Sequence, residues 1–158
     1  KMLDRLSPKN IIIVSSAPQI RYPDCYGIDM ARMGDLIAFR AAIQLIKDSK
    51  QESIIENVYK KCVDENKKEV GKIKNVVKEI YNSFSDEQIS LKISSMLKEK
   101  DIKAGVQVIY QSIDNLHIAC PDDLGDWYFS GTYPTPGGNK VVNQAFINYF
   151  EGSNKRAY

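Results

Sequence analysis

The sequence predicts an α/β fold that is mostly helical: the remnant of a parallel sheet carrying a helical insertion. Three observations predict it. Residues 10–16 read NIIIVSS, a continuous β-branched run bounded by turn residues. Such a run suits a strand covered on both faces, as in a parallel sheet. Residues 48–101 lack proline and are dominated by lysine and glutamate, with apolar residues at helical spacing. Residues 106–110 return to strand character after Gly105. The composition therefore divides the chain into 1–47, the end of an α/β domain, 48–104, a helical insertion, and 105–158, a C-terminal strand–helix segment.

Each element has its own signal. Met2, Leu3 and Leu6 sit at helical spacing with no cap before them and read as the last turns of a helix whose start lies upstream. Ser7-Pro8 breaks it, and the first strand follows. Residues 17–23 carry two prolines and leave the sheet as a loop. Gly34-Asp35 opens a helix whose buried stripe is Leu36, Phe39, Ile43 and Ile46. Ile54, Ile55, Val58, Tyr59 and Cys62 mark one face of the next helix. Ile73, Val77, Ile80, Tyr81 and Phe84 mark another. Ser85 and Gln88 form a capping-box pattern ahead of a helix bearing Ile89, Ile93, Met96 and Leu97. After the second strand, Ser112 caps a short helix over 113–120, and Pro121 stops it. Residues 126–129 read as extended, and residues 130–138 as a loop. Asn139 is expected to cap a last helix with Val142, Ala145, Phe146 and Tyr149 inward. A mobile tail, 155–158, is expected to close the chain.

Composition excludes several function classes. The chain has 158 residues, 43% hydrophobic and 27% charged, enough apolar material for a core. A formal net charge of +2 makes no case for nucleic acid or a membrane as partner. No run reaches the length of a membrane span, and the apolar run Ile11–Val14 is too short to be expected as a signal peptide. The three cysteines, Cys25, Cys62 and Cys120, are scattered and read as reduced thiols of a cytoplasmic protein.

Little in the residues themselves carries chemistry. The one histidine, His117, lies mid-helix and reads as structural. Asp24 beside Cys25 raises a thiol pKa rather than activating it. Asp122, Asp123 and Asp126 are spaced for a solvated loop, not an EF-hand. Gly138, Asn139 and Lys140 form a weak anion-site candidate at a helix start, without Walker spacing. The alternative there is a tight turn. No catalytic residue and no metal ligand is predicted. Residues 15–30 are the most distinctive stretch, because they follow the buried strand, and α/β folds place ligands at the carboxyl ends of strands. Arg21 and Asp29 there suit positioning of a substrate, or pairing with each other.

That stretch resembles amidophosphoribosyltransferases. The resemblance rests on Ser15-Ser16-Ala17-Pro18, Ile20-Arg21-Tyr22-Pro23, Tyr26-Gly27-Ile28-Asp29-Met30 and Asp35-Leu36-Ile37-Ala38. It continues in Val108-Ile109-Tyr110-Gln111-Ser112-Ile113 and Phe129-Ser130-Gly131-Thr132-Tyr133-Pro134-Thr135. These matches touch both ends of the chain in the family's order.

The resemblance implies the remnant of a type I phosphoribosyltransferase-like sheet. The implied parent makes phosphoribosylamine from glutamine and phosphoribosyl diphosphate, with magnesium, in the first step of purine synthesis. The family's N-terminal cysteine and phosphoribosyl-diphosphate loop are absent from this sequence and are expected upstream. The chain is then a non-catalytic scaffold whose partner is the rest of its own chain. Arg21, Tyr26 and Asp29 are its substrate-vicinity residues. Some members hold an iron–sulfur cluster. Aligned on the motifs, the ligand positions fall on Asp24, Asp122 and Gly125, so no cluster is expected. The helical insertion exceeds the simple family pattern and resembles extended bacterial members. Two alternatives stay open: an autonomous helical interaction module, and a phosphoribosyltransferase paralogue with another substrate. The sequence leaves a homo-oligomer open.

Overall fold

The computed structural model describes residues 2–26, 30–123 and 125–157. The fold is mixed α/β and mostly helical, built on a two-stranded parallel sheet. Strand β1 spans Asn10–Ser15 and pairs in parallel with β2, Gly105–Tyr110, in the register Asn10↔Gly105 to Ser15↔Tyr110. Three helices lie between the strands: α1 (Ile37–Asp48), α2 (Ser53–Glu65) and α3 (Asp86–Leu97). Beyond β2 come α4 (Ile113–Ala119), α5 (Trp127–Ser130) and α6 (Pro136–Phe150). Short 3-10 turns occupy Leu3–Leu6, Met33–Asp35, Val70–Lys72 and Val77–Ile80. Among the described residues no helix is long and apolar enough to cross a membrane.

The three sequence segments share one core. Helix α3 packs against β2 and α1, and α2 packs against α6. Phe39, Ile46, Val58, Cys62, Val77, Ile80, Ile89, Ile93, Val142 and Phe146 are all fully buried in a single cluster. Phe39 meets Phe146 and Tyr149 edge to face, at 6.0 and 4.8 Å between ring centroids. Burial of an aromatic side chain of this kind is worth about 1.5–3 kcal/mol. The predicted stripe of α1 is buried as expected, since Leu36 and Ile43 are inside with Phe39 and Ile46. The Ser85 capping box is also present. Gln88 N–H donates to Ser85 Oγ at 3.3 Å, and Ser85 N–H donates to Gln88 Oε1 at 2.8 Å. Ser112 caps α4 by accepting from Asn115 N–H at 3.1 Å.

Five expectations are corrected. The first strand is not covered on both faces by this chain, because Ile12, Ile13 and Val14 are 55%, 45% and 71% exposed. Ile73 to Phe84 is not an α-helix, although Ile73, Val77, Ile80 and Tyr81 are buried. Its polar backbone is satisfied from outside instead. Lys74 N–H donates to Glu65 Oε2 at 2.9 Å, and Val76 N–H to Asn143 Oδ1 at 3.3 Å. Asn139 Nδ2 donates to Ile73 C=O and Asn143 Nδ2 to Lys74 C=O, both at 2.9 Å. A backbone supplied this way has no need of the helical ladder. Residues 127–130 are helical rather than extended, closed by Gly131 at φ 68°. Helix α6 begins at Pro136 rather than after Asn139, because proline at the first helical position has no amide to satisfy. Residues 155–157 of the expected mobile tail fold back: Asn148 Nδ2 donates to Lys155 C=O at 3.0 Å, and Ala157 packs on the core.

Candidate functional site

The described first part of the distinctive stretch, residues 15–26, leaves the carboxyl end of β1 and threads between the helical section and the C-terminal segment. Ser15 begins the turn, its Oγ donating to Ala17 C=O at 2.9 Å and accepting from Ala17 N–H at 3.2 Å. A cavity of about 330 Å³ opens there, lined by Ser15, Pro18, Ile20, Met30, Leu36 and Tyr110. It lies where both strands end and α1 begins, the position at which open α/β sheets take ligands.

The predicted site residues fall in different places. Arg21 is held inward, its side chain 14% exposed. Its Nη2 bonds to Gln19 Oε1 at 2.7 Å and to the Asp86 carboxylate, and its guanidinium lies 5.2 Å from the Tyr81 ring centre. Tyr26 is half exposed and meets Trp127 edge to face at 5.8 Å. Asp29 lies outside the described residues, so no pairing of Arg21 with it is described. Gly138, Asn139 and Lys140 sit in the first turns of α6 without forming a cradle. Gly138 N–H donates to Thr135 C=O at 3.0 Å, and a Cβ at Gly138 would lie 2.5 Å from the Tyr133 ring. The Asn139 amide serves Ile73, and Lys140 is exposed.

Sequence reasoning missed the residues that organise the loop. Asp24 is fully buried and accepts from Tyr128 Oη at 2.7 Å and Tyr26 N–H at 3.0 Å. Tyr133 Oη donates to Pro23 C=O, and Tyr81 Oη to Arg21 C=O at 2.7 Å. Arg21 and Tyr22 N–H both donate to Tyr128 C=O, at 2.9 and 3.1 Å. Burial, with the neighbouring Tyr22, pushes the Tyr81 hydroxyl well above the usual phenol range, and burial does the same for Tyr22 and Tyr133. Tyr81 and Tyr133 are held as donors. The available signal was tyrosine recurring at 22, 81, 128 and 133, since a buried tyrosine needs a partner for its hydroxyl.

His117 Nε2 lies 3.2 Å from Asp126 Oδ2, without hydrogen-bond geometry. Ser130 Oγ donates to Asp126 Oδ1 at 2.8 Å. Serine and histidine thus both address the carboxylate, and among the described residues no serine-to-histidine relay is formed. Cys62 is buried, its thiol pushed up to about 12 by burial. Among the described residues no three His, Cys, Asp or Glu side chains gather to hold a metal.

Comparison of the chain with known protein families, with curated proteins and with solved structures finds no match.

Proposed function

We propose that this chain is a sheet-completing scaffold of a larger cytoplasmic enzyme resembling amidophosphoribosyltransferases. The parent forms phosphoribosylamine from glutamine and phosphoribosyl diphosphate. Here the 15–30 loop frames the substrate side while the reacting groups come from elsewhere in the parent. The observation that carries the reading is the state of the parallel sheet. Gly105 N–H donates to Lys9 C=O and Gln111 N–H to Ser15 C=O, so the intervening Asn10, Ile12 and Val14 turn their backbone groups away from β2. Ile12, Val14 and Ile109 also share one bare face. Parallel sheets are otherwise covered on both faces, and isolated strand pairs are marginal. The outer edge of β2, by contrast, is closed by Val108 N–H donating to Ser94 Oγ at 2.9 Å.

The motif resemblance names the parent; the open edge supplies the reason a parent is needed. Magnesium, which the resemblance assigns to the parent, finds no group of three ligating side chains among the described residues. An autonomous helical module fits less well, because α2 and α3 bury their apolar faces inside the common core.

The test is the coding sequence upstream of Lys1, followed by assay of the full-length protein. An acidic-pair phosphoribosyl loop, an exposed N-terminal cysteine, and product formation dependent on glutamine and phosphoribosyl diphosphate are expected. Absence of the loop and cysteine sinks the reading. Their presence with a different product moves it to a paralogue. The 158-residue chain alone is expected to show no turnover, and measurable turnover refutes the scaffold role.

A further inference from the structure

We infer that the helical section is a clamp that sets the conformation of residues 19–26, acting through Tyr81, Asp86 and Ser90. The inference goes beyond the proposed function and does not depend on which reaction the parent performs. The loop is gripped from two sides. On the helical side, Gln19, only 4% exposed, donates from Nε2 to Asp86 C=O and to Ser90 Oγ, both at 2.8 Å. The Arg21 guanidinium meets the Asp86 carboxylate and lies over the Tyr81 ring. Tyr81 Oη binds the Arg21 carbonyl, and the Tyr22 and Tyr81 rings meet edge to face at 5.4 Å. On the C-terminal side, Tyr128 and Tyr133 hold the backbone at residues 21–23 and the buried Asp24.

The two grips differ in kind. The C-terminal grip uses the Tyr128 carbonyl and the hydroxyls of Tyr128 and the buried Tyr133. The helical grip hangs on the first turn of α3, just after the Ser85–Gln88 capping box, where the Asp86 carbonyl accepts from both Gln19 and Ser90 Oγ. Asp86 serves twice, through its carbonyl to Gln19 and its carboxylate to Arg21. Tyr81 serves twice, through its ring to Arg21 and its hydroxyl to the Arg21 carbonyl. Displacement of α3 therefore releases Gln19 and Arg21 together, which makes the loop conformation a readout of where the helical section sits. Tyr81 and Asp86 are positioning residues in this arrangement, and the ledge they position ends at Tyr26 against Trp127.

The chain carries its own reporter, because Trp127 is the single tryptophan and packs on Tyr26 at the far end of the loop. The experiment compares wild type with Asp86→Asn, Asp86→Ala and Tyr81→Phe by hydrogen exchange and Trp127 emission. Tyr81→Phe keeps the ring and its burial, so it stays folded if the Asp86 variants do not. The amides of Arg21, Tyr22 and Asp24 are expected to exchange roughly five- to tenfold faster, the factor given by losing a hydrogen bond of ordinary strength. Emission from Trp127 is expected to shift with them, while the α6 core amides of Phe146 and Ile147 stay slow. Loop exchange and Trp127 emission unchanged in a folded variant would overturn the clamp. Uniform acceleration across α6 and the loop would also overturn it, since that reports plain destabilisation.

Discussion

Asp24 illustrates how a residue beside a reactive-looking group can be wholly structural. Its carboxylate is fully buried and spans Tyr128 Oη and the Tyr26 amide, and a buried carboxylate is tolerable only when bonded in this way. The same burial quiets the cysteines to different degrees. Burial, then Asp24, raises the Cys25 thiol, and burial takes Cys62 to about 12. Cys120 is exposed. Thiol labelling of the folded chain at neutral pH is therefore expected to modify Cys120 first, Cys25 slowly, and Cys62 only on unfolding. Rapid native modification of Cys62 would contradict the packing of α2 against α6. The tyrosines give a pH test of opposite sense to acid denaturation. Tyr22, Tyr81 and Tyr133 are raised above 10.0 in the fold by burial. The unfolded chain thus releases these protons first, so stability is fully present below pH 10 and is lost as pH rises beyond it. Phenolate absorbance from these three is expected to appear together with unfolding, and earlier, non-cooperative ionisation would show that the loop is open.

Among the elements, the helices with strong apolar stripes and local caps were legible in the sequence, and the irregular stretch 66–84 was not. Helix α1 and helix α3 carry their instructions internally, in periodic Phe39, Ile43 and Ile46 and in the Ser85–Gln88 box. The 73–84 run has helical spacing too, yet its conformation is decided by Glu65, Asn139 and Asn143, which lie elsewhere in the chain. No local pattern reports such a donor. Asn143 is the centre of this arrangement: fully buried, it accepts from Val76 N–H and Cys62 Sγ and donates to Lys74 C=O. Asn143→Ala takes their partner from the part-buried Val76 N–H and Lys74 C=O and is expected to cost about 3 kcal/mol, read as a lower urea midpoint at unchanged slope. Ser85→Ala, which removes one exposed cap, is expected to cost about 1 kcal/mol. Equal losses from the two would mean that side chains from α6 do not hold the irregular segment. The candidate loop was located by its position after β1. Its clamping partners were invisible for the same reason as Asn143, since Tyr81 and Asp86 lie about sixty residues away in sequence.

On the scale of the whole molecule, the sheet sets two requirements that pull apart in the isolated chain and in its proposed parent. The β-branched run 11–14 was legible as a strand, but the burial on both faces that its pattern suggests is not met in this chain. In the 158-residue chain, however, α3 covers only one side, and Ile12 and Val14 face outward beside an unpaired edge. Such an edge promotes strand addition between molecules, and charge placed on it suppresses this. Val14→Lys therefore has opposite expected effects in the two contexts. In the isolated chain, where Val14 is 71% exposed, a lysine there is expected to change stability by no more than about 0.5 kcal/mol and to lower self-association in light scattering. In the proposed parent the sheet would be completed over this position, and the lysine would be buried without a partner. The cost is then several kcal/mol, seen as loss of soluble enzyme or of its cooperative thermal transition. Ile13→Val, on the same strand but with its side chain on the opposite face, keeps the strand pattern and controls for disturbance of β1 itself. If the full-length protein tolerates Val14→Lys as readily as the isolated chain does, the β1 face is solvent-exposed in both, and the sheet-completing role falls.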